Sequence, residues 1–216
     1  KSATKTVVAS VAMAVAGLAC AAAPEYIIPP TKLEANEFSF VENSGKTNSY
    51  KTITSTNSSE LENLWVTGSG AGSKATGYWV DSDGQEATFT NLGNIYVTAV
   101  DGANSWSQRA IGAADGATAI NKGTIVVQNA YGMTVGSDKN GSTPAKIINE
   151  GSIAVYDTGA AMELGGVKGS TAENKGQIYV SKPSPSTNKE AFTIGVLVKD
   201  HEEGKFTNSG LIDAKE

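Results

Sequence analysis

The one imidazole in this chain is His201, set in the charged stretch Lys199-Asp200-His201-Glu202-Glu203-Gly204. A nucleophilic serine needs a base beside it and a third group to orient that base, and histidine is the usual base near neutral pH. Neither Gly-x-Ser-x-Gly nor Gly-Asp-Ser-Gly occurs, so no serine stands in a context that would activate it. His201 therefore reads as a solvated turn residue, and no catalytic residue is assigned.

Asp81-Ser-Asp83-Gly84-Gln-Glu86 has the start of a calcium loop but lacks the further spaced ligands and the closing glutamate, so it reads as a surface turn. No metal site and no cofactor are expected. Glycoside chemistry needs two carboxylates facing one another across a bond. The acids Glu150, Asp157, Glu163 and Glu173 fall at different phases of the pattern described below, which argues against such a pair. Tyr96 and Tyr179 share one outward position in two repeats, and Trp106 lies in an insertion, so contact with a sugar or a protein is conceivable there. Arg109 is the sole arginine and the formal charge is −5. Nothing supplies the forked donors that grip phosphates, and no nucleic-acid partner is expected.

The elements that would position any of these groups are set by a repeat. Five segments share one form: Asn91-Leu-Gly93-Asn-Ile95-Tyr-Val97, Asn121-Lys-Gly123-Thr-Ile125-Val-Val127, Asn149-Glu-Gly151-Ser-Ile153-Ala-Val155, Asn174-Lys-Gly176-Gln-Ile178-Tyr-Val180 and Asn208-Ser-Gly210-Leu-Ile212-Asp-Ala214. Their asparagines are 30, 28, 25 and 34 residues apart, the spacing of solenoid coils. Every second residue through the third unit gives Ala145, Ile147, Asn149, Gly151, Ile153, Val155, a small or apolar face running through two strands. The alternate positions, Lys122, Glu150, Lys175 and Gln177 among them, are mostly polar.

Two strands thus meet at an Asn-x-Gly corner. The glycine is expected there to allow a backbone conformation closed to bulkier residues. The asparagine is expected to bond local backbone and the amide of the neighbouring coil, making a ladder. A plain turn former would explain any one unit, but five in phase favour the ladder. Apolar pairs downstream, Met133 with Val135, Met162 with Leu164, and Ile194 with Val196 and Val198, supply a third strand, with Ala110-Ile111 a poorer counterpart. Three short strands per coil make an all-β, right-handed parallel β-helix.

Asp101–Ala114, Ser137–Pro144 and Ser181–Lys189 read as loops projecting from it. Residues 86–216 form the coils, and 22–85 an N-terminal cap with irregular first coils. Phe38-Ser-Phe40-Val-Glu-Asn43-Ser-Gly45 and Leu61-Glu-Asn63-Leu-Trp-Val66 are degenerate coils in that reading, and Tyr78-Trp79-Val80 a strand.

Lys1 and Lys5 precede an uncharged run, Thr6 to Pro24, that ends in small residues, so residues 1–21 read as a secretory signal peptide cleaved after Ala21. The competing reading lipidates Cys20, although Gly17 stands where a lipoprotein signal usually has leucine. Both ends of the chain are expected to be truncated, since it lacks an initiator methionine and stops just after a repeat.

The Asn-x-Gly-x-Ile-x-Val units, with the Ala-x-Phe, Ala-x-Ala or Ala-x-Ile before them, resemble the passenger repeats of Gram-negative autotransporters, the type V secretion family, from about Ala87 to Ala214. The resemblance implies export, passage through an outer-membrane β-barrel translocator, and display on the cell surface as a stalk or adhesin that binds a protein or glycan of a host or neighbouring cell. No barrel lies before Glu216, so that part is expected in a longer parent protein. The alternatives are a carbohydrate-active β-helix, of polysaccharide lyase or hydrolase type, with its active site outside this fragment, and a lipid-anchored surface protein.

Overall fold

The computed structural model describes residues 39–43, 47–54, 58–68, 74–82, 86–99, 108–135, 143–181, 193–199 and 203–214. The expected signal peptide, its cleavage site and Cys20 lie outside them.

The strands follow one another through three sheets in strict rotation. Sheet A holds β1 (Ser39–Asn43), β4 (Leu64–Gly68), β7 (Asn94–Ala99), β10 (Thr124–Gln128), β13 (Ser152–Tyr156), β16 (Gln177–Val180) and β19 (Leu211–Ala214). Sheet B holds β2 (Thr47–Ile53), β5 (Lys74–Asp81), β8 (Arg109–Ala114), β11 (Tyr131–Val135), β14 (Gly159–Leu164) and β17 (Thr193–Val198). Sheet C holds β3 (Ser58–Glu60), β6 (Thr88–Asn91), β9 (Thr118–Asn121), β12 (Lys146–Asn149), β15 (Thr171–Asn174) and β18 (Lys205–Asn208). Every pairing is parallel, so each circuit of the chain lays one strand on each sheet, and the molecule is a parallel β-helix.

The register puts like on like. Ile125 pairs with Ile95 and Ile153, and Val127 with Val97 and Val155. In sheet B, Met133 lies between Ile111 and Met162. In sheet C, Phe89, Ala119, Ile147, Ala172 and Phe206 alternate large and small along the axis. These rows fill the lumen, where Leu64, Ile95, Ile125, Ile153 and Ile178 are fully buried. Because a strand shows alternate side chains to opposite faces, a slip of one residue would turn the whole apolar set outward. The stacked rows therefore fix the register of every coil.

One expectation changes in detail. Arg109–Ala114, placed within the first projecting loop, are β8, because Ile111 and Ala113 carry the lumen rows between β5 and β11. The described part of residues 22–85 holds β1 to β5, already in phase with the three sheets. Its corner departs from the motif: Glu60 stands in register with Asn91, and Asn63 is one coil from Asn94, to which it is hydrogen-bonded.

Candidate functional site

The corner from sheet C to sheet A carries the densest polar network among the described residues. Asn91 Nδ2 donates to Asn121 Oδ1 at 2.8 Å, Asn121 Nδ2 to Asn149 Oδ1 at 2.9 Å, Asn149 Nδ2 to Asn174 Oδ1 at 2.8 Å, and Asn174 Nδ2 to Asn208 Oδ1 at 2.7 Å. All five amides thus form one directional ladder. The second hydrogen of each Nδ2 has backbone within reach: Gly93 O from Asn91, Gly123 O from Asn121, Gln177 O from Asn149 and Leu211 O from Asn174. Asn91, Asn121, Asn149 and Asn174 are fully buried, a burial that satisfied hydrogen bonds make tolerable.

The glycines of the motif are required for a different reason than the expected one. Gly93, Gly123, Gly151, Gly176 and Gly210 are not among the residues of positive φ. Space is what excludes a side chain. A Cβ at Gly123 would lie 2.0 Å from Gly93 O, one at Gly151 2.1 Å from Gly123 O, one at Gly176 2.0 Å from Gly151 O, and one at Gly210 2.1 Å from Gly176 O. The coils pack backbone on backbone here, and amides such as Thr124 N and Ser152 N reach the glycine carbonyl of the coil before. Left-handed backbone is found at the other corners instead, at Asn129 (φ 53°), Asp157 (φ 60°) and Asp115 (φ 44°). None of the three is expected as a corner residue from sequence, Asp157 being weighed only as a carboxylate; the signal lies in Asn129 and Asp157, each two positions beyond the valine of its repeat.

The carboxylates are distributed, not paired. Glu150 and Glu173 flank the Lys175 ammonium at 3.5 and 3.6 Å, while Lys122 and Lys146 hold their far sides at 3.6 and 3.4 Å. This alternating chain of charge runs beside the ladder. Glu163 faces outward on sheet B and pairs with Lys199 at 2.9 Å, and Asp157, at a third place, accepts from Gln128 Nε2 at 2.6 Å. Among the described residues no group of three or more acid, thiol or imidazole side chains gathers as a metal cage would require.

The outer face of sheet B brings together the remaining reactive types. Trp79 lies across Gly112, where a Cβ would meet the indole at 2.4 Å. The Arg109 guanidinium stands 5.6 Å from the Trp79 ring and donates to Thr134 Oγ1 at 3.0 Å. Lys199 stands 5.8 Å from the Tyr131 ring. Burial holds the Tyr131 phenol far above its ordinary range, with the Glu163 charge adding to the effect and Arg109 opposing it. Sequence reasoning missed this group, whose members come from five successive coils.

Tyr96 and Tyr179 do share an outward row of sheet A, with Val126 and Ala154 between them. Val126, Ala154 and Tyr179 are nevertheless buried, so Tyr179 is not an exposed platform for a sugar. His201, Asp83 and Trp106 lie outside the described residues.

A three-sheet parallel β-helix bonded along one corner by an amide ladder defines a solenoid domain whose repeating unit is the coil. The family described as the BigA third pectate lyase-like domain matches residues 31–210, and this chain belongs to it. BigA is a bacterial surface protein. No curated protein and no solved structure matches the chain.

Proposed function

We propose that this chain is a non-catalytic segment of a surface-displayed β-helix, an autotransporter-type passenger that serves as stalk and adhesin. The observation that carries the reading is where the polar side chains are spent. Five asparagines are tied into one axial ladder, and Glu150, Glu163 and Glu173 are each held by lysine. Groups committed to holding coils together in this way do not face one another across a bond to be cleaved, as a catalytic pair of carboxylates must. Family membership with a bacterial surface protein supports display outside the cell. The partners in this reading are an outer-membrane β-barrel translocator, expected in the parent protein, and a surface protein or glycan of a host or neighbouring cell.

The test is removal of one whole coil, residues 118–145, from the parent protein. That deletion joins Ala117 to Lys146, keeps the register in which Lys146 follows Thr118, and sets Asn149 on Asn91. A stalk keeps surface display and cell attachment after losing one repeat. Loss of display with an aggregated product counts against modular stacking.

A second reading, a carbohydrate-active β-helix, draws on the pectate lyase-like description of the family and on the Trp79, Arg109 and Glu163 group. Incubating the parent protein with acidic and neutral glycans separates the two. Reproducible chain cleavage overturns the scaffold.

A further inference from the structure

The rows that fill the lumen change chemistry where β2 and β3 are the outermost described strands of sheets B and C. In sheet B the row Met133, Ile111, Tyr78 is continued by Lys51, and in sheet C the row Ala119, Phe89 is continued by Ser58. The ladder corner changes with them. Glu60 takes the place of the asparagine next to Asn91, yet its carbonyl still accepts from Leu92 N at 2.7 Å, as Asn91 O accepts from Lys122 N at 2.8 Å. Glu62 takes the place of the glycine, and its carbonyl lies 2.1 Å from where a Cβ on Gly93 would stand. The backbone thus keeps the corner of the later coils while the side chains depart from it. Those side chains join sheet B to the corner: Lys51 Nζ donates to Glu60 Oε1, and Tyr50 Oη donates to Glu62 Oε1 at 2.9 Å. Tyr50 also packs edge-on against Tyr78, with ring centroids 6.0 Å apart, and Tyr78 packs on Phe89. The Lys51 side chain is 49% exposed, whereas Tyr78, next in its row, is 0% exposed.

We propose that Tyr50, Lys51, Glu60 and Glu62 form a polar plug that bars a second copy of the chain from adding strands to β2 and β3. The outer edge of a sheet is a template for strand addition, and charged side chains turned inward on the edge strand are a means of blunting it. Three features act here. A strand laid on β2 or β3 would stack a lumen side chain on Lys51 or Glu60 and draw that ion pair out of water, a desolvation that its Coulombic attraction does not recover. A carboxylate paired with lysine has no hydrogen to donate, so Glu60 passes no bond along the ladder, and Asn91 Oδ1 accepts from Gly93 N at 3.3 Å instead. Glu62 carries a Cβ where the later corners have none. A second corner stacked on it in the same way would bring a carbonyl as close as the 2.0 and 2.1 Å found at Gly123 and Gly151, where no Cβ fits.

The experiment uses the full chain and a variant carrying Lys51→Leu, Glu60→Asn and Glu62→Gly, which removes the charges and restores both the rung and the glycine. Sedimentation follows association, and amide hydrogen exchange locates it. In the variant, exchange at β2 and β3 slows by about tenfold or more as concentration is raised and the chain associates. Exchange at β10 and β13 reports whether the coil stack is intact; if the triple variant loses that protection, Lys51→Leu with Glu60→Leu, which leaves the corner backbone unaltered, takes its place with the same expectation. The reversed pair, Lys51→Glu with Glu60→Lys, keeps a plug and shows no concentration dependence at β2 and β3, like the unsubstituted chain. Exchange at β2 and β3 that stays independent of concentration in the unplugged variant overturns the proposal. So does association of the unsubstituted chain that protects these two strands.

Discussion

The corner from sheet C to sheet A and the other two corners of each coil turn the chain through comparable bends, and they do it by different physics. At the first, two residues separate the strands in every repeat from β6–β7 to β18–β19. The side chain points inward, is fully hydrogen-bonded, and lies directly on its counterpart one coil away. At the others the connection varies from the short Asn129-Ala130 turn to the stretch between β16 and β17, and a left-handed residue such as Asn129 or Asp157 makes the bend. The ladder corner has no freedom to lengthen, because an inserted residue would lift its amide off the like amides stacked above and below it. The left-handed corners also bond across coils, Asn129 to Ala99 O and Thr158 N and Asp115 to Thr143 N, but with no like residue repeated at every turn, so their connections differ in length from coil to coil.

The sharpest way to break this contrast is to place a methyl group where backbone meets backbone. Gly151→Ala sets a Cβ 2.1 Å from Gly123 O and 2.7 Å from the carbonyl carbon of Lys122, neither of which can rotate away. Separating two coils at this point costs more than about 3 kcal/mol, enough to move a urea midpoint substantially or to prevent folding. Wild-type stability of this variant would show that the coils are not in contact there.

Asn149→Leu comes next. It removes the acceptor of Asn121 Nδ2 and the donor to Asn174 Oδ1, both buried, together with the part-buried bond to Gln177 O. Leucine supplies apolar bulk but takes the donor from Asn174 Oδ1 and leaves Asn121 Nδ2 with only its longer contacts to Gly123 O and Ser152 O, so a loss of about 2 to 3 kcal/mol is expected in equilibrium unfolding. A loss under about 0.5 kcal/mol would reduce the ladder to a set of independent turns.

How much of this was readable beforehand follows from the same contrast. The parity of Ala-x-Ile-x-Asn-x-Gly-x-Ile-x-Val named the lumen rows, and the Met133, Met162 and Val196 positions named the third sheet, because each residue there stacks on its own kind. The first described coils were hard to phase since Glu60 replaces the ladder amide and Glu62 the glycine, leaving Asn63 as a decoy that aligns with Asn94. The reason for the corner glycine was misjudged. A left-handed turn and a close backbone approach both select glycine, and only the neighbouring coil distinguishes them. The sheet B group stayed hidden because Trp79, Arg109, Thr134 and Glu163 are scattered along the chain and meet only once coils of unequal length are in register.

That distinction between conformation and space can be measured at a single pair of corners. Asp157 has φ 60°, where an L side chain is strained and glycine is not. Asp157→Ala keeps a Cβ, loses the bond from Gln128, and is expected to cost about 1 to 2 kcal/mol; Asp157→Gly loses the same bond but relieves the backbone, so it should be the milder by about 1 kcal/mol. Gly151 should show the reverse preference for the reverse reason, with glycine needed for room. Equal effects of the two Asp157 variants would mean that the side-chain bond, not the backbone, decides that corner.

The smallest effect is expected on the outside of the ladder corner. Glu150→Gln removes the charge between Lys122 and Lys175 while leaving the adjacent Asn149 and Gly151 in place. Both ion pairs are long, at 3.6 and 3.5 Å, and their lysine side chains are largely open to water, so screening leaves each with little net worth. A change within about 0.5 kcal/mol, shrinking further as salt is raised, is the expected result in thermal or urea unfolding. A cost approaching that of Asn149→Leu would move the source of coil cohesion from the buried amides to the surface charges. The present geometry assigns it to the amides, whose bonds are short, whose rungs from Asn91 to Asn174 are fully buried, and whose path along the axis is unbroken.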